Sequence, residues 1–361
     1  MTTLSVETDP LVAVVDGDAG RPPLLEVRNV SKSFPVRLSP FKKGYVSAVD
    51  GLSFTVKHGT TVGIVGESGC GKSTAARLIL GLIDIDNGDV LFEGRNVKAQ
   101  RESPQTPDDR RELRRNMQMV FQDPHSALNP RASIGEIISF PMKVHGFSKE
   151  EQQERTQWLL EQVGLHANHA SYYPHQMSGG QRQRVNIARA LALSPRLVVC
   201  DEAVSALDKS VQAQVLNLLK DLQAELGLTY LFISHDLNVV QYMSDEVLVM
   251  YLGQAVEMTD SARLYAKPLH PYTQALLAST PRLDDADGPV APPLEGELPS
   301  PLDPPSGCRF RTRCPYAMEV CAQERPLLVE AADGHRVACH LYVEGSVEMR
   351  ATSPALAVSA S

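Results

Sequence analysis

The eight residues Gly66-Glu67-Ser68-Gly69-Cys70-Gly71-Lys72-Ser73 fit the spacing G-x-x-x-x-G-K-[ST]. Glycines so spaced let backbone N–H groups turn inward on a polyphosphate, and Lys72 adds a mobile cation. Ser73, followed by Thr74, offers a hydroxyl to Mg²⁺. The same spacing can also form a turn with no ligand. Downstream, Asp201-Glu202 closes the apolar run Leu197-Val198-Val199-Cys200. An acid there can hold Mg²⁺ through its water shell, which suits Asp201, and Glu202 can polarise an attacking water. The duller alternative is an N-cap acid beside a solvated one. Ser178-Gly179-Gly180-Gln181 opens a helical pattern and reads as a second anion site or an ordinary N-cap. Two such helix starts, with one acidic strand tip, suggest a shared nucleotide. The loop of one protomer would face the serine–glycine turn of another.

A second constellation lies near the C-terminus. Cys308, Cys314, Cys321 and Cys339 fall in one stretch, spaced by five, six and 17 residues. Four thiolates suit a [4Fe–4S] cluster or a structural zinc, and no tight C-x₂-C pair is present. Arg309, Arg311 and Arg313 interleave the first two cysteines, which predicts lowered thiol pKa values and an offset for a cluster's negative charge. His335 is a further zinc candidate. His340 is set aside, because it adjoins Cys339 and neighbouring residues seldom face one metal. Cys70 and Cys200 read as small packing residues.

These residues need elements to hold them. Thr60 to Val65 is short, apolar and β-branched, a buried strand, and Ser73 to Leu82 has helical spacing. The loop between them therefore sits at a helix N-terminus, where the dipole favours phosphate. Strands are also predicted at Leu24–Val30, within Tyr45–Val56, at Leu91-Phe92, at Met117–Phe121, at Leu197–Asp201, at Thr229–Ser234 and at Val247–Tyr251. An exposed loop is expected over Pro35–Gly44, and a charged surface excursion over Arg95–Arg115. Helix is expected from about Ile134 to Leu165, over Gly180–Leu193 and over Val211–Leu226. The alternation implies an open, mostly parallel α/β sheet with ligands at the strands' carboxyl ends. An all-helical lobe is inserted at about 123–179.

The 361 residues, 43% apolar and 22% charged, suit about two domains with a sizeable core. The net charge of −8 argues against a nucleic-acid partner. No run of ~20 apolar residues spans a bilayer, and no secretory signal stands at the start. The expected organisation is a flexible leader over 1–22, a nucleotide-binding domain over 23–262 and a C-terminal extension over 263–345. The extension holds a linker at 281–305, with eight prolines, and the four-cysteine module at 308–339. A frayed tail follows over 346–361.

Taken in order, the loop at 66–73, Gln122 after a strand, Ser178–Gln181, Asp201-Glu202, Ser205-Ala206-Leu207-Asp208 and His235 resemble the nucleotide-binding subunit of an ATP-binding cassette (ABC) transporter. The resemblance covers roughly 24–258 and implies a P-loop ATPase core with an antiparallel β part and a helical subdomain. It implies that Lys72 and the loop amides hold the β- and γ-phosphates of ATP, and that Ser73 and Gln122 reach Mg²⁺. Gln122 would also sense the membrane partner. Glu202 would be the general base, and His235 would contact the γ-phosphate. Asp208 would lie across a dimer interface, and Ser178 and Gly180 would touch the γ-phosphate held by the opposite subunit. Phe34 matches the family's adenine-stacking aromatic, with Tyr45 as a rival; either could instead be a core aromatic.

Phe121-Gln122-Asp123-Pro124, Leu128-Asn129-Pro130, Gln214–Leu219, His270-Pro271-Tyr272-Thr273 and the cysteine tail resemble the dipeptide/oligopeptide importer branch. Members of that branch carry an iron–sulfur cluster on such a tail, which favours the cluster over zinc, in a structural role. The branch implies a paralogous ATPase partner, two membrane permeases and an extracellular peptide-binding protein, with this chain peripheral at the cytoplasmic face of the membrane. Nickel chelates or glutathione-like molecules are alternative cargoes. A soluble cassette ATPase acting on DNA or ribosomes is a rival class, disfavoured by a single cassette, an acidic balance and no heptad run. A regulatory subunit that binds ATP without turning it over is another.

Overall fold

The computed structural model describes residues 22–39, 42–103, 109–279, 297, 299–332 and 334–342. The expected leader (all but residue 22), most of the proline-rich linker and the tail lie outside them.

Strands β1 (Leu25–Ser39) and β2 (Lys42–Val56) form one long antiparallel hairpin. Within the expected loop over Pro35–Gly44, residues 35–39 and 42–44 are instead strand arms, with Phe34 opposite Val46 and Pro35 opposite Tyr45. The arms project beyond the core, so no buried face imposes an alternating pattern that the sequence could reveal. Pro35 is tolerated because β1 pairs with its other neighbour only as far as Ser31, leaving the proline's missing donor uncalled for.

Strand β3 (Thr61–Val65) leads through the glycine loop into helix α1 (Lys72–Ile79). Strands β4 (Asn87–Phe92) and β5 (Arg95–Asn96) complete a four-stranded antiparallel sheet ordered β2-β1-β4-β5. The charged stretch after β5 is described over residues 97–103 and 109–116. It forms helices α2 (Val97–Glu102) and α3 (Asp109–Asn116), anchored by buried Val97 and Leu113.

After β6 (Met117–Val120) the chain is helical up to Gln176: α4 (Pro124–Ala127), α5 (Ile134–Val144), α6 (Lys149–Gln162) and two 3₁₀ turns. The helical stretch expected over about 134–165 consists of two helices. Gly146 adopts φ +83°, and Ser148 starts the second helix with a reciprocal cap from Glu151. Helix α7 (Gly179–Leu191) returns to β7 (Leu197–Asp201), followed by α8 (Lys209–Leu226), β8 (Thr229–Ile233), α9 (Leu237–Met243) and β9 (Glu246–Tyr251).

Strands β9-β3-β8-β7-β6 are parallel. They are buried on both faces and accordingly read as near-continuous apolar runs. Successive side chains still divide the interior. Tyr230 and Phe232 of β8 join the cluster under the helical lobe, whereas Leu231 and Ile233 join the cluster between the two sheets.

Three antiparallel strands extend this sheet, none of them foreseen: β10 (Gln254–Asp260), then, after helices α10 (Ser261–Ala266), α11 (Pro271–Ala278) and α12 (Val320–Gln323), β11 (Val329–Ala332) and β12 (His335–Val337). β12 pairs with β10 through Glu257–Val337 and Met258–Arg336. The cysteine segment is thus stitched onto the main sheet and packs on the core through a Tyr251–Tyr272–Phe310 aromatic cluster with centroids 4.7–5.5 Å apart.

Candidate functional site

The glycine loop runs from the end of β3 to the start of α1, at the carboxyl edge of the parallel strands. Gly66 (φ +152°) and Gly71 (φ +107°) hold backbone conformations that disfavour L side chains. Each is also pressed on a carbonyl: a Cβ on Gly66 would overlap the Met250 oxygen, and one on Gly71 the Ala48 oxygen. Lys72 is buried, and its ammonium donates to the carbonyls of Gly66 (2.7 Å) and Glu67 (3.0 Å), bracing the loop from within. Burial pushes the Cys70 thiol pKa up against the Lys72 charge, in keeping with a packing role.

Ser73 Oγ donates to Asp201 Oδ1 at 2.8 Å. Asp201 is 4% exposed, and burial raises its carboxyl pKa despite the Ser73 bond. A hydroxyl and a buried carboxylate beside a phosphate loop form an oxygen donor set suited to a hard divalent cation. Glu202, the next residue, sits at φ +48°, a left-handed conformation costly for a non-glycine and typical of functional positions. There its carboxylate accepts from Gln122 Nε2 (2.8 Å) and lies 3.4 Å from His235 Nδ1. The structure therefore gathers the loop, Ser73, Gln122, Asp201, Glu202 and His235 at adjoining strand ends.

Ser178 caps α7, accepting from the Gln181 N–H at 3.3 Å, while Gln181 Oε1 accepts from the Ser178 N–H at 2.9 Å. Gly180 faces α8, where a Cβ would come within 2.5 Å of Val211 Cγ1. Asp208 caps α8 by accepting from the Val211 N–H (2.9 Å), and that bond holds its carboxyl pKa down. Residues 178–181 and Asp208 thus sit together at two neighbouring helix starts. Among the described residues no hydrogen bond joins them to the glycine loop of the same chain. Phe34 and Tyr45 are both exposed, so neither is a core aromatic. The hairpin register puts them on opposite faces of the ribbon.

All four C-terminal cysteines, with Phe310, Arg311 and His270, line one cavity. The expectation that three arginines depress their pKa values is not met. Burial dominates, raising Cys308, pushing Cys314 to about 11 and Cys339 to about 12. Of the three arginines only Arg311 lines the cavity. Arg309 reaches Asp50 (2.5 Å) and the Leu252 carbonyl, and Arg313 forms two bonds to Glu67 (2.9 and 3.2 Å). His335 is spent on buried Glu257 at 2.7 Å and does not line the cavity.

Sequence reasoning missed Tyr272, whose hydroxyl accepts the Glu67 N–H at 2.9 Å. The only signal was its place in His270-Pro271-Tyr272-Thr273, a motif with no evident chemistry of its own.

This fold and site define a P-loop ATPase of the ATP-binding cassette class. Residues 49–205 match the ABC transporter family, and residues 256–321 match the oligopeptide/dipeptide transporter C-terminal region. The chain is 52% identical over 330 residues to the oligopeptide transport ATP-binding protein AppF of Bacillus subtilis, covering 90% of this chain and 99% of that one. It is 48% identical over 331 residues to OppF of Escherichia coli, covering 89% and 96%. Among solved structures it resembles cbiO1 of Clostridium perfringens, part of the cbiONQ transporter complex, with TM-score 0.58 and 26% identity over 68% of this chain and 91% of that one. It also resembles the dimeric post-hydrolysis state of the cassette MJ0796 bound to ADP and Pi, with TM-score 0.56 and 29% identity over 66% and 98%. The chain belongs to the ABC transporter ATP-binding family, in its oligopeptide/dipeptide transport branch.

Proposed function

We propose that this chain hydrolyses ATP to drive peptide import by a multi-subunit ABC transporter. The observation that carries this is the joining of a phosphate loop and a Gln122–Glu202–His235 cluster to a peptide-transporter C-terminal region in one chain. Lys72 and the loop amides of residues 66–74, other than that of Glu67, bind the phosphates. Ser73, Asp201 and Gln122 would hold Mg²⁺, which supplies charge neutralisation between the phosphates. Glu202 orients and deprotonates the attacking water, His235 contacts the γ-phosphate, and Phe34 or Tyr45 stacks on adenine.

Ser178, Gly179, Gly180, Gln181 and Asp208 belong to a different pocket from the chain's own loop. Each nucleotide is enclosed between the loop of one subunit and the Ser178 turn of another, a paralogue in the branch arrangement. Closure on ATP and release after hydrolysis would move the permeases between access states.

The permeases dock at the groove where Leu82, Phe121, Phe140 and Val144 are exposed beside the exposed Arg110 and Arg114. An apolar floor with a cationic rim suits an apolar segment with acidic flanks, and Phe121 adjoins Gln122, linking the groove to Glu202. Among the described residues no helix is long and apolar enough to cross a membrane. In the branch arrangement the chain attaches to the permeases peripherally, at the cytoplasmic face. An extracellular binding protein supplies the peptide.

Among the described residues no three potential ligands close around a single ion. The four thiols lining one cavity are a donor set that suits a [4Fe–4S] cluster or a structural zinc, and the branch resemblance alone favours the cluster. Cys308, Cys314, Cys321 and Cys339 would hold it, and its chemistry there is structural crosslinking.

Co-purification of the intact complex tests this reading. Two permeases, a second ATPase and an iron-dependent visible absorption band are expected. A complex holding no permease, or turnover by isolated monomers at full rate on dilution, would overturn it.

A further inference from the structure

The phosphate loop carries an anion of its own. Glu67 is the second residue of a loop whose ligand is a polyanion, and an uncompensated carboxylate there would repel it. The compensation comes from 246 residues away in sequence. The Arg313 guanidinium, with its side chain 5% exposed, makes two parallel bonds to the Glu67 carboxylate, at 2.9 and 3.2 Å. On the same residue, the Glu67 N–H is not turned toward a phosphate but donates to the Tyr272 hydroxyl at 2.9 Å. Both ends of Glu67 are thus held by the C-terminal extension, its backbone by α11 and its side chain by the cysteine segment.

The holders are themselves fixed. Tyr272 is fully buried in contact with Phe310. Arg313 lies between Cys308 and Cys314, which line the thiol cavity, and Arg309 of the same short segment is tied to Asp50 and Leu252.

We propose that Arg313 and Tyr272 are positioning residues for nucleotide binding: the cysteine-bearing extension clamps the phosphate loop at Glu67 and cancels its charge, so that the loop's affinity for ATP is set in part by a module that never touches the nucleotide. The inference rests on the reading of residues 66–74 as the ATP-phosphate site. Its reach is wider than a fold contact, because anything that loosens the Cys308–Cys314 segment would weaken ATP binding at a site on the other side of the clamp.

The test is equilibrium binding of a fluorescent ATP analogue to the full chain in its purified complex, with the Glu202→Gln background preventing turnover. Arg313→Ala is expected to weaken binding about tenfold, about 1.4 kcal/mol, by baring the Glu67 carboxylate. Glu67→Gln added to Arg313→Ala is expected to restore affinity to within about threefold of the parent, since the charge that needed cancelling is gone. A merely structural arginine would give no such rescue.

Tyr272→Phe keeps the buried ring, removes only the acceptor, and is expected to weaken binding about threefold with an unchanged circular dichroism spectrum. Glu330→Gln, elsewhere on the same module, is expected to leave affinity unchanged. Binding by Arg313→Ala within twofold of the parent, or loss of binding that Glu67→Gln does not repair, would overturn the clamp. If the parent itself fails to bind ATP, or Lys72→Ala binds as the parent does, the phosphate-site reading fails instead.

Discussion

Gln122 Nε2 donates to Glu202 Oε2 across 2.8 Å, joining the residue just before the helical lobe to the acid just past the tip of β7. Glu202→Gln removes the proposed base while retaining a polar group for that contact. It is expected to slow hydrolysis by 10²-fold or more, within the usual range for loss of a general base, and to leave ATP binding intact. Single-turnover hydrolysis in the intact complex measures this, and a parental rate would mean that Glu202 is not the working base. Gln122→Ala should cost less, about tenfold, and should blunt the response of turnover to peptide.

The two exposed aromatics of the β1–β2 hairpin lie on opposite faces, so one adenine ring can stack on only one of them. Phe34→Ala and Tyr45→Ala are therefore expected to differ. One should raise the KM for ATP about fivefold to tenfold, and the other should leave it unchanged. Equal effects would mean that the hairpin acts as a unit rather than through a stacking face.

Gly180 packs against α8, and in the proposed composite nucleotide site it also faces the opposite subunit's ATP. Its missing Cβ would fall 2.5 Å from Val211 Cγ1. Gly180→Ala should destabilise the fold by about 1–3 kcal/mol through overpacking. Adding Val211→Ala should recover most of the lost melting temperature, because the added methyl points at the Val211 side chain. A double variant no more stable than Gly180→Ala would contradict this packing.

Asp50 anchors the cysteine segment through Arg309 (2.5 Å) and Arg325 (3.1 Å). Burial alone would raise its carboxyl, but the Gln254 bond and the two arginine charges outweigh that and hold the pKa below its usual 3.8. A depressed folded-state pKa stabilises the protein above the unfolded value, and the contribution is lost as pH falls through the folded one. Asp50→Asn is therefore expected to cost about 2 kcal/mol at pH 7. The cost should stay level down to about pH 4.5 and shrink only below the ordinary aspartate range. Thermal unfolding of the two proteins across pH checks the sign. A difference that widens on acidification would contradict it.

The chemistry at the strand tips was legible because it is written in contiguous motifs. A phosphate loop, a capped Ser178 turn and a paired acid after an apolar run each announce a local geometry. The elements that escaped lack a local signature. The outer arm of the hairpin has no buried face, so Pro35–Gly44 shows no period. Strand β12 is three residues long and is specified by its pairing with β10 rather than by composition.

The arginines between Cys308 and Cys314 were read by their nearest neighbours in sequence. In space, Arg309 and Arg313 turn away from the thiols toward Asp50 and Glu67, more than two hundred residues distant. Without their charges beside the cavity, desolvation decides the cysteine pKa values, and it raises them. Tyr272 failed for the same reason, since its partner is a single distant N–H group.

Gly66 rests on the backbone of β9 and Gly71 on the backbone of β2, so the glycine loop is a shim wedged between two sheets of different origin. The hairpin that bears Phe34 and Tyr45 leans on that shim from one side, and the parallel sheet that bears Asp201 leans from the other. On the proposed reading, in which the hairpin stacks on adenine, base recognition and phosphate recognition are geared together through that loop. Any attempt to retune this motor for a different nucleotide base by reshaping the hairpin will also alter its grip on the phosphates.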